Sequence, residues 1–162
     1  MTKRINRKLT AFLTAIILLS LLSCRSNVTF TDSAAIPAET WKLDNVVTFS
    51  PTVSDTSTLQ NIFFTIRTGS SYPFRNIWLF VTTTSPSGKR LTDTLQYMLA
   101  DEKGKWFGRG LGDVRELNLP YRIGIWFPEK GVYNFQVRHG MRNEDLKGVY
   151  DLGIRIEKLK KQ

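Results

Sequence analysis

The sequence predicts an all-β protein, built as a single antiparallel β-sandwich that follows an export signal and a short tether. After residue 40, apolar and polar residues alternate with a period of two, as expected of strands with one buried face. Turn signals rich in glycine, proline and serine separate these runs, and no segment after the signal has sustained helical periodicity. Repetition of strand and turn about seven or eight times fits both jelly-roll and immunoglobulin-like sandwiches.

The first 23 residues have the three-part layout of a secretory signal. Four basic residues precede an apolar run over residues 9–22, which is too short to cross a bilayer as a helix. The triplet Leu21-Leu22-Ser23 then precedes Cys24, the sole cysteine, in a pattern that resembles the lipobox of bacterial lipoproteins. We expect cleavage before Cys24 and its acylation with fatty acids such as palmitate. An ordinary signal peptide with a chance cysteine, or an uncleaved anchor, are the alternatives.

The chain divides into a signal peptide (1–23), a lipidated tether (24–39) and a β-sandwich domain (40–162). The tether is polar and lacks sustained periodicity, apart from a short first strand near residues 28–31. Removing the signal from the 162 residues leaves 139, a size typical of one domain. The net charge of +9 includes the four basic residues of the signal, so the mature chain carries +5. An exported chain of this mild charge, without a recognition motif, is not expected to bind nucleic acid.

The strands are predicted, in order, at residues 41–49, 62–67, 75–83, 90–99, 121–127, 133–138 and 152–157. Most of them have one apolar and one polar face, as Phe64 and the neighbouring Thr65 illustrate. The strand at 75–83 differs, because Trp78 and Phe80 make its second face apolar as well. This strand is therefore expected to be covered on both sides.

No catalytic constellation is predicted, and we expect no enzyme activity, no metal and no cofactor. The single histidine, His139, lacks a second metal-ligating neighbour, and no nucleophile elbow, phosphate loop or dinucleotide fingerprint occurs. We expect His139 to be a strand-end residue with a satisfied hydrogen bond. Asp93 lies on the apolar face of its strand, so it is expected to pair with Arg67 or Arg90. A hydrolase that uses loop carboxylates with His139 is the rival interpretation.

The glycine-rich segment at residues 100–116 is the best candidate for an interaction surface. Trp106, Phe107 and Arg109 lie there among four glycines, and tryptophan and arginine dominate the hot spots of protein interfaces. Tyr72 and Trp78 are the further aromatic candidates. The same rings could stack on a sugar. Alternatively, Trp106 folds back as a lid over one end of the sandwich.

The chain resembles the GldH family of gliding-motility lipoproteins of the Bacteroidetes. The resemblance covers most of the mature chain and depends on the combination and order of several short segments, each weak by itself. These segments are residues 72–81 (YPFRNIWLFV), 93–94 (DT), 104–110 (GKWFGRG), 127–135 (FPEKGVYNF), 141–142 (MR) and 146–158 (LKGVYDLGIRIEK).

This resemblance implies a non-enzymatic lipoprotein of the cell envelope that contacts other envelope proteins, in the gliding machinery or in a related one. Family members also occur in bacteria that do not glide, and no catalytic residues carry over. The alternative function is a glycan-binding module. The expected partners are membrane lipid through Cys24 and envelope proteins, with glycan as the alternative ligand. The segment after Cys24 lacks the acidic cluster that resembles a surface-export tag in this phylum, so the resemblance implies the periplasmic face of the outer membrane.

Overall fold

A computed structural model describes residues 27–159, which form strands and one 3-10 turn at Pro37–Glu39. The strands are β1 (Val28–Ala35), β2 (Thr40–Lys42), β3 (Val47–Phe49), β4 (Thr52–Val53), β5 (Gln60–Thr68), β6 (Asn76–Thr84), β7 (Arg90–Met98), β8 (Arg115–Ile125), β9 (Gly131–Val132), β10 (Asn134–His139), β11 (Asp145–Lys147) and β12 (Val149–Lys158). The predicted signal peptide and Cys24 lie outside these residues. Within the described part of the chain, no helix is long and apolar enough to span a membrane.

Eight of the strands form two antiparallel sheets of four. The first sheet has the order β1-β12-β5-β8, and the second has the order β3-β10-β6-β7. Two shorter pairs, β2 with β11 and β4 with β9, complete the strand pairing of residues 27–159. All pairings are antiparallel, so the predicted all-β antiparallel class is confirmed.

The facing sides of the two sheets contribute to one hydrophobic core. Phe64 of β5 and Phe135 of β10 are both essentially inaccessible to solvent. The ring of Tyr121 on β8 lies 5.2 Å from that of Phe64 and 6.3 Å from that of Phe135, so it joins the two sheets. Strand periodicity explains this placement, since alternate side chains of each strand enter the same interior. The arrangement fits a β-sandwich.

Asp93 also links the two sheets, where edge strand β7 meets edge strand β8. Its carboxylate accepts hydrogen bonds from the Tyr121 hydroxyl (2.8 Å) and from the Arg122 guanidinium (2.7 Å). Burial raises the pKa of Tyr121, which keeps this donor protonated. The predicted partners of Asp93 were wrong, because Arg67 pairs instead with Asp151. Asp93 is therefore part of the structure of the sheet edge.

The two ends of the domain differ in which chain segments they carry. At the end that we call proximal, β1 begins with Val28 beside Glu157, and β5 begins with Gln60 between Lys158 and Ile125. The opposite end, called distal, carries the connections at residues 69–75, 99–114 and 140–144. The ten residues of β12 run from one end to the other. At about 3.3 Å per residue, the ends lie about 30 Å apart.

The short strand expected near residues 28–31, within the predicted tether, is longer in the structure, where β1 covers Val28–Ala35. This strand pairs with β12 from Val28 to Ala35. Phe30 and Ala34 pack against the core, while most of the remaining side chains are polar and exposed. An edge strand with one solvated face gives a weak apolar period, and its backbone hydrogen bonds do not depend on side-chain type.

The prediction of one strand at residues 41–49 is wrong, because this segment forms two short strands, β2 and β3, in different sheets. The Asn45 amide donates to the carbonyl of Lys42, and the Trp41 indole donates to the carbonyl of Asn45. This turn separates β2 from β3 and leaves Leu43 exposed. Residues 145–147, for which no strand was predicted, form β11 beside β2. Strand β8 begins at Arg115, inside the predicted loop.

Candidate interaction surface

The glycine-rich loop at residues 99–114, here called the distal loop, is held by specific hydrogen bonds. In its first half, one carboxylate oxygen of Asp101 accepts from the amides of Lys103 and Lys105 at 2.9 and 2.8 Å. Gly104 adopts a positive φ of 81° in this turn. The turn returns the chain so that Trp106 pairs with Ala100. The first half is therefore a small hairpin.

The second half of the distal loop lies directly against the start of β8. Arg109 and Glu116 exchange two backbone hydrogen bonds of 3.0 and 2.7 Å. A Cβ on Gly110 would lie 1.8 Å from the carbonyl oxygen of Val114, so only glycine permits this approach. The glycines thus let the loop fold back on the domain.

This folding back determines which side chains of the distal loop face solvent. Phe107 is 59% exposed and Leu111 is 93% exposed, and Arg109 is exposed as well. Large apolar side chains exposed on a loop are the usual material of a protein interface. Sequence reasoning missed Leu111, although its place between Gly110 and Gly112 in a turn could have indicated it.

Two other candidates, Trp106 and Tyr72, pack against the domain and do not face solvent freely. The Trp106 ring packs edge-on against Tyr72 at 6.1 Å and is partly buried against the core. Tyr72 is 4% exposed, and its hydroxyl donates to the carbonyl of Asn76. Burial raises the pKa of Tyr72. Trp106 and Tyr72 therefore support the distal loop from beneath. Trp106 folds back over this end of the domain, as the alternative interpretation of the loop expected.

Trp78 lines a groove of about 360 Å³ on the outer face of the second sheet, near the distal end. Phe74, Phe80 and Met141 form much of its wall. The Trp78 amide is 3.4 Å from the sulfur of Met141, and the Arg138 guanidinium lies 5.2 Å above the Phe80 ring. Neighbouring side chains therefore cover part of the outer face of β6, the strand that was expected to be covered on both sides. The groove between them remains open to a ligand.

His139 is fully buried beneath the distal end, beside the backbone of Trp41, which favours the charged imidazole. Neither ring nitrogen has a partner within hydrogen-bonding geometry. The Trp41 ring packs edge-on against the imidazole at 5.5 Å. Burial lowers the pKa of His139, since a charged imidazolium would be poorly solvated in this position. The residue is neutral and packs as part of the core.

We expect this burial to make stability depend on pH. The pKa of His139 is lower in the folded state than in the unfolded chain, where it is about 6.5. The free energy of unfolding is therefore highest above pH 6.5, where both states are neutral, and it decreases as pH falls and the unfolded chain takes up a proton. The loss approaches about 1.4 kcal/mol per pH unit until the folded pKa is reached. Urea unfolding of wild type and His139→Leu at several pH values measures the difference. Equal pH dependence of the two proteins would contradict the assignment.

No cluster of three or more metal-ligating side chains occurs within residues 27–159. The fold and the surface together define an antiparallel all-β protein whose candidate site, in this part of the chain, consists of exposed side chains at one end of the domain. Residues 28–156 match the family model of the GldH lipoprotein. The chain therefore belongs to the GldH lipoprotein family, as its sequence motifs predict.

Two curated relatives are similar over most of their length. The gliding motility lipoprotein GldH of Flavobacterium johnsoniae is 34% identical over 144 residues, which cover 85% of this chain and 89% of the relative. The gliding motility lipoprotein GldH homolog of Christiangramia forsetii is 34% identical over 125 residues, which cover 73% and 77% respectively. No solved structure matches the chain.

Proposed function

We propose that this protein is a lipid-anchored, non-enzymatic component of the gliding-motility machinery, or of a related machinery of the cell envelope. Acylated Cys24 holds it on the periplasmic face of the outer membrane. Its single β-sandwich presents the distal loop and the Trp78 groove to other envelope proteins. Family membership and the names of both relatives support the motility role.

One observation carries the proposal of protein contacts. The exposed residues Phe107, Arg109 and Leu111 lie at the end of the domain opposite to the start of β1, about 30 Å from it. An anchor that precedes β1 would leave this end directed away from the membrane, where other proteins are accessible. A loop that glycines and backbone hydrogen bonds hold in one conformation loses little entropy when it binds.

Crosslinking in intact cells tests this function. We expect a tag after Gln162 to recover defined envelope proteins, and the double variant Phe107→Ser/Leu111→Ser to reduce that recovery about tenfold or more, because truncation of interface anchors costs about 2 kcal/mol each. Both side chains are exposed, so the fold should persist. Val132→Ser, which changes an exposed apolar residue (45% exposed) at the proximal end, is the control.

Two outcomes would contradict protein contacts through the distal loop. If the double variant recovered as much of the envelope proteins as wild type, the distal loop would not be the contact surface. Recovery of glycan fragments alone would favour the glycan-binding alternative, for which the Trp78 groove has suitable walls, with Asn76 and Asn143 beside the indole.

A further inference from the structure

Large apolar side chains are also exposed at the proximal end, where the distal loop plays no part. Trp126 is 62% exposed, Ile123 is 55% exposed and Leu91 is 53% exposed. Trp126 and Leu91 border a hollow of about 190 Å³ whose floor includes the buried rings of Phe127 and Tyr133. Exposed tryptophan and aliphatic side chains at one end of a domain indicate a surface that meets an apolar phase or a partner.

The length of chain before β1 indicates which of these it meets. Cys24 precedes Val28 by four residues, which span at most about 14 Å when fully extended. Val28 begins β1 at the proximal end, beside Glu157. If the acyl chains of Cys24 are inserted in a bilayer, the proximal end therefore cannot lie farther than this from the lipid surface.

The chemistry of the proximal end fits a lipid surface. An indole combines a large apolar ring with a polar N–H, and tryptophan accordingly concentrates at the interface between headgroups and acyl chains. Lys89 and Lys130 are exposed in the two turns at this end, which the hydrogen bond of Ser87 to Glu129 joins; the Lys89 ammonium lies 4.0 Å from the same carboxylate, and Lys130 is the second cation. Such cations are attracted to anionic headgroups. The sequence continues after Leu159 with two further lysines.

We propose that the proximal end lies against the membrane that holds the lipid anchor, with Trp126 in the interfacial layer and Ile123 and Leu91 beside it. The inference rests on the proposed anchor at Cys24. It assigns an orientation to the domain, since the long axis of the sheets then stands away from the membrane. Trp126 supplies a second, weaker attachment that restricts how the domain tilts about its tether.

Tryptophan fluorescence in labelled lipid tests the orientation. The full acylated chain is reconstituted into vesicles of phosphatidylethanolamine and phosphatidylglycerol in which part of the acyl chains are dibrominated, since bromine quenches indoles that reach it. Of the four tryptophans, Trp41, Trp78 and Trp106 lie toward the distal end or in the core. We expect quenching in wild type, its loss in Trp126→Phe, and its full retention in Trp106→Phe, the matched control.

Two results would overturn the inference. One is a vesicle-bound wild type that shows no bromolipid quenching. The other is quenching that survives Trp126→Phe but is lost in Trp106→Phe, which would place the distal end on the lipid. Partner recovery in cells reports separately on the proposed function. A protein that recovers its partners through the distal loop but shows no quenching of Trp126 would therefore contradict the orientation alone.

Discussion

Gly148→Ala is expected to lower the free energy of unfolding by about 3 kcal/mol or more. Gly148 has a φ of +78°, and a Cβ there would lie 2.3 Å from the backbone nitrogen of Tyr72. Neither backbone segment can yield easily, because the Gly148 amide donates to the carbonyl of Glu39 and its own carbonyl accepts from Gly69. The strain would fall on Tyr72, which supports Trp106 and the distal loop.

Equilibrium unfolding in urea measures this change, with Gly88→Ala as the matched control. Gly88 also has a positive φ, at +84°, but no atom lies within 4 Å of the position of its Cβ. It should therefore lose only the conformational cost of about 1 kcal/mol. If both variants lost the same free energy of unfolding, a Cβ at residue 148 would not clash with the backbone of Tyr72.

Phe64→Ala should destabilise the protein by about 3–5 kcal/mol, the range for removing a fully buried phenylalanine ring. Phe64 is 0% exposed at the centre of β5, and its ring packs against Tyr121, which joins the two sheets. Alanine would leave a cavity between strands that are hydrogen-bonded on both sides and so cannot collapse to fill it.

The adjacent Phe63→Ala is the control for register. Phe63 points to the outer face of the same strand, where its ring lies 5.1 Å below the guanidinium of Arg155. We expect a loss of about 1 kcal/mol, from one cation–π contact and partial burial. Thermal unfolding of both variants compares them directly. A larger effect at Phe63 than at Phe64 would mean that β5 faces the core with its other side.

Much of the fold was predictable, because strands with one buried face carry a two-residue period. This signal identified Phe64 as buried and Thr65 as facing outward, and it identified β7 although that strand is mostly exposed. It underestimated the length of β1, of which only residues 28–31 were expected, because edge pairing depends on backbone groups that every residue carries. It also failed to separate β2 from β3, because the turn between them is made by Asn45 and not by glycine or proline.

The candidate surface was predicted as a segment but not residue by residue. Glycines indicated an unusual loop, and the structure has one at residues 99–114. Which aromatic side chain turns inward depends on the pairing of Trp106 with Ala100, which sequence alone does not fix. Trp126 was missed because it lies within the strand predicted at residues 121–127, whereas β8 ends at Ile125 and leaves Trp126 exposed.

The pairing of β1 with β12 determines how the domain bears mechanical tension. Backbone hydrogen bonds in an antiparallel pair run perpendicular to the strands. Tension between the proposed anchor before β1 and the proposed partner at the distal end would act along the strand axis, so the bonds from Val28 to Ala35 would be sheared together. A pull from the opposite end of β1 would peel them one at a time. The polarity of this one edge strand would therefore let the proposed anchor carry tension without peeling β1 from β12.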